Sequence, residues 1–417
     1  MSPKETAASR DAADPLAEHR QRFVVADPDV IYLDGNSLGR LPATTPAHLE
    51  RVIREEWGED LIRSWPGRWW EQSERVGDAI AEIAGAGAGN VILSDSTSTS
   101  LFKLAFAALQ ARPGRTTILT DDLNFPSDNY LLQSVADILG RRVTVIRSTD
   151  GIHGPVTEIE AALDDDVALV SLSHVSFKSG YMYDMERVTR AVHAAGALVL
   201  WDVSHSVGAV PLRLLDDHVD LAVGCTYKYL NGGPGSPAFL FAHPSLVNDL
   251  TNPIPGWWAH REPFAFDLEF APESGIRRLL TGTAPILSLS ALEPALPIVL
   301  EAGIDTIRAK SVALTEYFVE LVDARLTDLG FTLTSPRDAS RRGSHIAVRH
   351  DDGWRITRAM IEHGRVIPDF RDPDNIRFGL VPLYTTFTEL EIAVGRICDL
   401  VAHGAHLRYD NARTVVT

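Results

Sequence analysis

Short apolar runs rich in β-branched residues alternate with helical patterns between about residues 90 and 242. The runs read NVILSD, TTILTDD, RVTVIRS, ALVSLSHV, ALVLWD, VDLAVGCT and PAFLFA. This alternation is typical of βαβ units, which place a mostly parallel sheet between two layers of helices. We therefore expect a large α/β domain in this part of the chain.

The helix predicted after ILSD has one apolar face. Its stripe follows the spacing i, i+3, i+4, i+7 and consists of Leu101, Leu104, Ala105 and Ala108. Pro113 and Gly114 end the pattern, because both residues terminate helices. The hydroxyl-rich start of this helix, DSTSTS, is then expected at the edge of the sheet where the strands end.

The pattern changes after Thr283 to longer helical stretches with one short strand run, SHIAVRH. The last helix is predicted to begin at Thr386, which forms a capping box with Glu389. Its apolar face consists of Leu390, Val394, Ile397 and Val401. These features predict a smaller C-terminal α+β domain.

Near the N-terminus, VIYLDGNSLGRLP reads as a strand followed by a turn. We expect this segment to pack beside the C-terminal domain. The predicted organisation is an N-terminal segment at 1–45, a large α/β domain at 46–290 and a small α+β domain at 291–417.

The charge of the chain argues against two classes of partner. Lys and Arg number 39 and Asp and Glu 56, so the formal net charge is −17. This acidic balance gives no basic surface for nucleic acid or an anionic membrane. No apolar run reaches the roughly 18 residues of a membrane helix, and the polar first residues lack the apolar core of a signal peptide. We expect a cytoplasmic protein that binds neither nucleic acid nor a membrane.

The cysteine content argues against two kinds of structural site. The chain has two cysteines, Cys225 and Cys398. Two cysteines cannot form a disulfide framework, and without a CxxC pair they form no zinc site. We expect free thiols and no bound metal.

Three features are predicted at the carboxyl edge of the sheet, where ligands bind in open α/β folds. Asp202 closes the strand ALVLWD, Lys228 follows the strand VDLAVGCT, and DSTSTS opens a helix. Each has an ordinary structural interpretation as well. An aspartate there can cap a loop, a lysine can be a solvated loop residue, and hydroxyls often cap helices.

Together these features match the needs of pyridoxal phosphate. This cofactor requires a lysine amine for its Schiff base, an acid beside its pyridine nitrogen and a cradle for its phosphate. The glycines of NGGPGSP after Lys228 let the backbone turn sharply beside such a group. The stretch is no nucleotide-binding loop, because it contains neither GxxxxGK[ST] nor a strand-following GxGxxG.

The sequence resembles the kynureninases, a family of pyridoxal phosphate enzymes of fold type I. The resemblance covers nearly the whole chain through nine motifs in the family's order. They are YLDGNSLGRLP, SDSTSTSLFKL, NFPSDNY, SHVSFKSGYMYDM, LVLWDVSHSVGAVPL, DLAVGCTYKYLNGGPGSPAFLF, GWWAH, LLTGTAPILS and IRFGLVPLYTTF. The implied reaction is hydrolytic cleavage of the Cβ–Cγ bond of L-kynurenine, which gives anthranilate and L-alanine.

The resemblance also implies roles for residues around the cofactor. Lys228 carries the Schiff base, Asp202 pairs with the pyridinium nitrogen, and His205 supports the site. Tyr227 reaches the phosphate and is a candidate acid for a late protonation. The further cofactor contacts implied are Thr97 and Ser98 at the phosphate, Phe125 stacked on the ring and Asp128 near the ring hydroxyl.

Other implied contacts concern the substrate and a second subunit. Arg377 grips the substrate carboxylate, and Ser37 and Trp65 line its aromatic pocket. Trp258 and Thr283 reach the cofactor of the neighbouring subunit, which implies a homodimer. Several of these residues keep a structural alternative, since Trp65 and Phe125 can be core aromatics, His205 a turn residue and Arg377 a surface arginine.

The chain departs from the family at residues 176–180. The family commonly has Asn-Tyr-Arg-Thr-Gly there, and this chain has SFKSG. Tryptophan at 65 with threonine at 283 resembles bacterial members, which generally prefer kynurenine to its 3-hydroxy form. Cleavage of 3-hydroxykynurenine to 3-hydroxyanthranilate stays open, as does a paralogue for a substituted kynurenine in secondary metabolism.

Two further alternatives stay open. A cysteine desulfurase or selenocysteine lyase shares the fold, but those that form a persulfide need a reactive thiol on a mobile loop. Cys225 lies in an apolar strand and Cys398 on the last helix, so neither suits that role. A catalytically silent binding protein would usually lack the lysine or the aspartate, and this chain has both.

Overall fold

The computed structural model describes residues 6–410 of the chain. Its strands, in chain order, are β1 (Ile31–Tyr32), β2 (Val91–Leu93), β3 (Thr117–Asp121), β4 (Arg142–Ile146), β5 (Val167–Ser173), β6 (Leu198–Asp202), β7 (Leu221–Gly224), β8 (Phe239–Ala242), β9 (Thr332–Leu333), β10 (His345–Arg349), β11 (Val366–Ile367), β12 (Asp369–Arg371) and β13 (Asn375–Gly379). Its α-helices are α1 (Ala7–Ala12), α2 (Thr45–Arg51), α3 (Trp70–Ile83), α4 (Thr97–Gln110), α5 (Pro126–Leu139), α6 (Val156–Ala161), α7 (Met185–Ala194), α8 (Ile286–Leu292), α9 (Leu296–Ala302), α10 (Ile304–Leu321), α11 (Gly353–Ala359) and α12 (Phe387–Ala402).

The seven apolar runs predicted as strands all form strands of one sheet. Its order is β2-β8-β7-β6-β5-β3-β4, and β8 alone runs antiparallel to its neighbours. The predicted mostly parallel sheet is therefore confirmed. β4 forms an edge of the sheet, which explains why its side chains are largely exposed.

Helices cover both faces of this sheet, because successive strand residues point to opposite sides. On β6, Leu198 and Leu200 pack in the apolar cluster that contains α4 and α5. Val199 and Trp201 pack in the cluster on the other face, which contains α7. The predicted layers of an α/β domain are therefore present.

The helix predicted after ILSD is α4. Its whole predicted stripe, Leu101, Leu104, Ala105 and Ala108, is buried. Ser96 is the N-cap, and its side chain accepts a hydrogen bond from the Thr99 amide. This cap leaves the first turn of α4 at the carboxyl edge of the sheet, where the sequence predicted it.

The N-terminal segment joins the C-terminal part of the chain. β1 pairs in parallel with β11, and Ile31 and Leu33 are buried with residues of β10, β13 and α12. β10 lies inside a second sheet of order β12-β13-β10-β9. The capping box between Thr386 and Glu389 forms at the start of α12, as predicted.

Helices α8 to α10 connect the two regions. α8 and α9 contribute Leu292 and Val299 to a cluster of the large sheet, and Leu314 of α10 belongs to the cluster of the small sheet. Among residues 6–410 no single helix is long and apolar enough to span a membrane. Ile286–Ala302 and Ile304–Leu329 pass that test only when joined, and they are bent by 81°.

Candidate active site

A cavity of about 200 Å³ opens beyond the ends of β6 and β7. It is lined by Ser37, Thr97, Ser98, Phe125, Ser127, Asp128, Phe177, Asp202, Ser204, His205, Tyr227, Lys228, Arg371 and Arg377. The structure thus brings most of the predicted site residues to one place. Trp65, Trp258 and Thr283 lie elsewhere and do not line this cavity.

The start of α4 forms one wall of the cavity. Thr97 and Ser98 occupy its first turn, where backbone amides have no partner within the helix. The same end carries the positive pole of the helix dipole. Amides, hydroxyls and dipole together suit a phosphate group, as expected from the sequence.

A buried ion pair lies directly behind this turn. Lys103, on α4, is fully buried and donates to Asp95 at 3.1 Å, to Ser94 Oγ at 2.9 Å and to the Leu279 carbonyl at 2.8 Å. Asp95 adopts a left-handed backbone conformation with φ of 42° and also accepts from the Thr281 hydroxyl. No local pattern in the sequence predicts this pair, because a lysine on a mostly apolar helix face gives no sign of its partner.

Two carboxyl groups meet at the floor of the cavity. Asp202 ends β6 and accepts a hydrogen bond from the Ser204 amide at 2.7 Å. Asp128 lies in the first turn of α5, and burial, followed by the charge of Asp202 and a hydrogen bond with it, raises its pKa well above the usual range. Asp128 therefore holds a proton more tightly than an ordinary aspartate does, and it lies beside Asp202.

The Lys228 amine lies 3.2 Å from Nε2 and 3.4 Å from Nδ1 of His205. His205 is buried, and burial together with Lys228 and Arg377 lowers its pKa well below the ordinary value. His345 lies behind it at 5.6 Å between ring centroids, and burial lowers its pKa as well. Both imidazoles are therefore neutral at physiological pH, and His205 adds no positive charge beside the amine.

Tyr227 lies next to Lys228, whose amine is 5.9 Å from the centre of the phenol ring. The Cys225 thiol beside it, and then burial, raise the pKa of Tyr227. The phenol therefore stays protonated across the physiological range. A protonated hydroxyl in the cavity can donate either a hydrogen bond or a proton.

Arg377 is held by partners from three parts of the chain. It lies on β13 with a side chain that is 2% exposed, directly across from Asp369 on β12, with which it forms an ion pair. Its guanidinium also donates to Ser37 Oγ at 2.8 Å and to the Phe177 carbonyl. The alternative of a surface arginine is thereby excluded.

Phe125 and Phe177 form an aromatic corner of the cavity. Phe125 is the N-cap of α5 and is 42% exposed, and its ring meets that of Phe177 edge to face at 5.2 Å. Phe125 is therefore not a core aromatic. In the sequence Phe177 stands out only as a departure from the family, although its ring contributes to this wall.

Trp65 and Trp258 lie in a tryptophan cluster outside the cavity. Trp258 is fully buried and packs 5.6 Å from both Trp65 and Trp70. The ring of Trp258 therefore has no exposed surface in this packing, and its predicted contact with a second subunit stays a prediction. The adjacent Trp257 is 37% exposed and donates from Nε1 to Thr283 Oγ1 at 3.3 Å.

The residues of the cavity fit pyridoxal phosphate. Lys228 supplies an amine, Asp202 an acid beside it, and the start of α4 an anion cradle. Asp128 Oδ2 is buried and has no hydrogen-bond partner among residues 6–410, so a donor on a bound group would satisfy it. An orphaned acceptor of this kind is what a site built around a polar cofactor would contain.

Solved structures with a similar fold include two cysteine desulfurases. The apo enzyme from Thermococcus onnurineus NA1 superimposes with a TM-score of 0.78 at 17% identity, over 93% of this chain and 98% of that one. The cysteine desulfurase CsdA from Escherichia coli gives the same values. At this identity the similarity shows the fold, which is fold type I.

Sequence comparison gives a closer assignment. A model of the kynureninase C-terminal domain matches residues 307–397. The kynureninase of Pseudomonas fluorescens is 44% identical over 407 residues, which cover 96% of each chain. The kynureninase of Burkholderia pseudomallei strain 1106a is 43% identical over 406 residues, again 96% of each. With this identity over almost its entire length, the chain belongs to the kynureninase family.

Proposed function

We propose that this chain hydrolyses the Cβ–Cγ bond of L-kynurenine and releases anthranilate and L-alanine, with pyridoxal phosphate bound at Lys228. The observation that carries the proposal is that one cavity brings together the Lys228 amine, the Asp202–Asp128 carboxyl pair, the start of α4 and buried Arg377. Its curated relatives are named kynureninases, in agreement with this chemistry.

Five residues would hold the cofactor from different sides. Lys228 binds its aldehyde, Asp202 pairs with its ring nitrogen, and Thr97 and Ser98 surround its phosphate together with the free amides of α4. Asp128 would accept a hydrogen bond from a donor near the ring oxygen through its buried Oδ2, which has no partner among residues 6–410. When bound, pyridoxal phosphate supplies an electron sink for negative charge that develops on the substrate.

Lys228 and Tyr227 would move the protons of the reaction. The Lys228 amine, when it is not bonded to the cofactor, would take the α proton of the substrate. Neutral His205, 3.2 Å from this amine, keeps it oriented without adding charge. Water would add to the γ-carbonyl, so that cleavage of the Cβ–Cγ bond releases the aryl part as anthranilate. Tyr227, which stays protonated, would then donate a proton to the β carbon before L-alanine is released.

The substrate lies between an arginine and an aromatic wall in this proposal. Arg377 attracts the α-carboxylate, and Ser37 beside it fixes the guanidinium through a bond of 2.8 Å. Phe177 lines the aromatic part, because its ring faces the cavity at right angles to Phe125. The proposed substrate is L-kynurenine, with 3-hydroxykynurenine as the alternative.

The second part of the proposal is a homodimer with shared sites. Trp257 and Thr283 are exposed and joined by a hydrogen bond, yet neither lines the cavity of its own chain. Trp65 packs 6.0 Å from Trp257 on the same face. We propose that this face completes the site of a neighbouring subunit, with Trp257 in the role predicted for Trp258.

The alternative function of a persulfide-forming cysteine desulfurase requires a thiol in the cavity, and no cysteine lines it. Cys225 is buried and Cys398 is partly buried, and burial raises the pKa of both. Cys398 lies on α12, donates to the Arg325 carbonyl and does not line the cavity. Persulfide transfer needs a low-pKa thiol that meets the substrate, and neither cysteine provides one.

We also propose the predicted division into an N-terminal segment, a large domain and a small domain, with one change. α8 and α9 pack with the large sheet, so we place the second boundary inside α10 rather than at residue 290. The outermost residues of the predicted divisions, 1–5 and 411–417, lie outside the described residues. Two free cysteines support the proposed cytoplasmic location.

The test of the proposed function follows cofactor and product in one cuvette. The protein purified with pyridoxal phosphate should show the visible absorbance of the lysine-bound cofactor. Addition of L-kynurenine should produce anthranilate fluorescence and one L-alanine per anthranilate. Cofactor absorbance that changes without anthranilate would reject the reaction, and a lack of cofactor binding would reject the whole proposal.

A further inference from the structure

Arg371 lies in the same cavity as Arg377, and nothing in the motifs pointed to it. It is on β12, two residues after Asp369, so both side chains project from the same face of the strand. Its guanidinium contacts Asp369 Oδ2 at 2.8 Å, the same oxygen that pairs with Arg377. Two guanidinium groups therefore share one carboxylate.

The terminal nitrogens of Arg377 are in use, although its Nε, like that of Arg371, is buried without a partner among residues 6–410. Of its two terminal nitrogens, one donates to the Phe177 carbonyl and lies 3.4 Å from His205 Nε2. The other donates to Ser37 Oγ and to Asp369. A carboxylate that takes two parallel bonds from Arg377 would have to replace some of these partners.

Arg371 has donors to spare. Within residues 6–410 its contacts are the one with Asp369 and a long bond of 3.5 Å to the Phe370 carbonyl. Its Nε is buried without a partner, and its side chain is 35% exposed toward the cavity. An arginine offers five N–H donors, so three of those of Arg371 have no partner among residues 6–410: the buried Nε–H and two on the terminal nitrogens.

The charges favour an anion at this end of the cavity. Arg371 and Arg377 contribute two positive charges, and Asp369 contributes one negative charge. His205 is neutral and Asp34, the nearby second acid, has its pKa raised to about 7 by burial and by Asp369. At least part of one positive charge therefore remains for a bound carboxylate.

We propose that Arg371 is a second substrate-binding arginine, which donates to the α-carboxylate of the amino-acid substrate while Arg377 stays anchored to Ser37 and Phe177. This inference rests on the proposed function, since the ligand is the substrate of that reaction. The kynurenine ketone and aryl amine carry no negative charge, so the α-carboxylate is the anionic group that this arginine pair would recognise. The same contact applies to L-alanine, the product that keeps this carboxylate.

The experiment measures kinetics and ligand binding on the loaded enzyme. Arg371→Gln should raise KM for L-kynurenine by about 10- to 100-fold, the usual loss for a charge-assisted hydrogen bond, with kcat within about threefold. The dissociation constant of L-alanine, read from the cofactor absorbance, should rise by a similar factor. The matched control is Arg349→Gln on β10 of the same sheet, an exposed arginine outside the cavity, which should change neither value.

Two further comparisons separate direct binding from an indirect effect. The decarboxylated analogue of kynurenine, which keeps the ketone and the amine, should bind wild type and Arg371→Gln equally well. In an Arg377→Gln background, Arg371→Gln should weaken L-alanine binding further. Equal loss with the decarboxylated analogue, or no further loss in that background, would overturn the proposal.

One more outcome would move Arg371 to another part of the substrate. If the inhibition constant of anthranilate rises in Arg371→Gln while L-alanine binds normally, the arginine contacts the aryl end and the proposal is wrong. Wild-type enzyme that binds L-alanine but does not cleave kynurenine would reject the proposed reaction and leave the role of Arg371 measurable.

Discussion

Lys103 and Asp95 form an ion pair in which the lysine side chain is fully buried and the aspartate side chain is 32% exposed. The pair joins three pieces of chain, since Lys103 also bonds Ser94 and the Leu279 carbonyl, and Asp95 also bonds Thr281. Asp95 directly precedes the cap of α4. The turn proposed to hold phosphate is thus tied to the segment that leads to Thr283.

Loss of the Asp95 charge should lower the free energy of unfolding more than loss of the Lys103 charge. Asp95→Asn leaves a buried ammonium without its counter-charge and should lower the free energy of unfolding by about 3–5 kcal/mol. Lys103→Met leaves a carboxylate that water can reach, so we expect a smaller loss, about 1–3 kcal/mol. Urea denaturation of the apoenzyme measures both. The control is Asp328→Asn, an exposed aspartate, which should stay within about 0.5 kcal/mol of wild type.

The stability defect of Asp95→Asn should depend on pH in a defined direction. Burial already lowers the pKa of Lys103, and loss of Asp95 lowers it further. A lysine whose pKa is lower in the folded state than in the unfolded chain reduces the free energy of unfolding at pH values where the unfolded chain holds it charged. This loss becomes smaller as pH rises toward 10. The defect of Asp95→Asn should therefore shrink between pH 7 and pH 9. A defect that is constant over this range would contradict the buried charge as its cause.

Lys228→Ala should abolish turnover and the visible absorbance of the bound cofactor together. The amine is the group of the cavity that can form the covalent bond, and neighbouring His205 is neutral and cannot replace it as a base of similar strength. Absorbance spectra and anthranilate fluorescence test this, and a matched Lys178→Ala variant outside the cavity should keep both signals. Retained absorbance in Lys228→Ala would remove this lysine from its role.

Asp34 should make substrate binding sensitive to pH near neutrality. Burial and Asp369 raise its pKa to about 7, while Ser37, Arg377 and Arg371 oppose this. Above pH 7 the ionised Asp34 adds a negative charge beside both arginines, so KM for kynurenine should rise by a few-fold from pH 6.5 to 8. Asp34→Asn cannot ionise and should keep KM flat over this range.

The same group affects stability with a defined sign. A carboxyl group whose folded pKa exceeds its unfolded value of 3.8 retains a proton that the unfolded chain releases. Its contribution to the free energy of unfolding therefore falls as pH rises from about 4 to about 7. Urea denaturation of Asp34→Asn and wild type at pH 5 and pH 8 should show the variant relatively more stable at pH 8. No difference between the two pH values would reject the raised pKa.

Hybrid dimers should recover activity if sites are shared. A Lys228→Ala subunit has an intact Trp257 and Thr283, and a Trp257→Ala, Thr283→Ala subunit has an intact Lys228. Mixed after mild dissociation, they should give dimers with one complete site and activity well above either parent. Trp258→Phe, which changes a fully buried ring, serves as the matched control and should affect stability without abolishing complementation. Absence of recovery in a confirmed mixed dimer would show that each site is built within one chain.

The large sheet was predictable because each of its strands carries its own signal. Apolar runs such as ALVLWD can be buried on both faces only inside a covered parallel sheet, and their carboxyl ends then meet at one edge. Asp202 and Lys228 were predictable for the same reason, since each directly follows such a run. The start of α4 followed from its hydroxyl residues and the apolar stripe behind them.

Other residues depend on contacts that no local pattern encodes. Arg371 reaches the cavity because β12 pairs with β13 in the register that puts Asp369 opposite Arg377. Lys103 resembles any helix lysine until Asp95 and Leu279 are placed around it. Trp257 and Trp258 are adjacent in GWWAH, and only packing against Trp70 decides which ring is buried and which stays exposed.

The bond between Ser37 and Asp369 joins residues 332 positions apart. During synthesis on the ribosome, β1 and the turn that carries Ser37 emerge first but cannot find β11 or β12 until nearly all of the polypeptide has been made. The large sheet can form while these early residues wait without their partners. Completion of the substrate pocket is therefore a late event in the life of the nascent chain, and a prematurely terminated product would hold the lysine without the arginines.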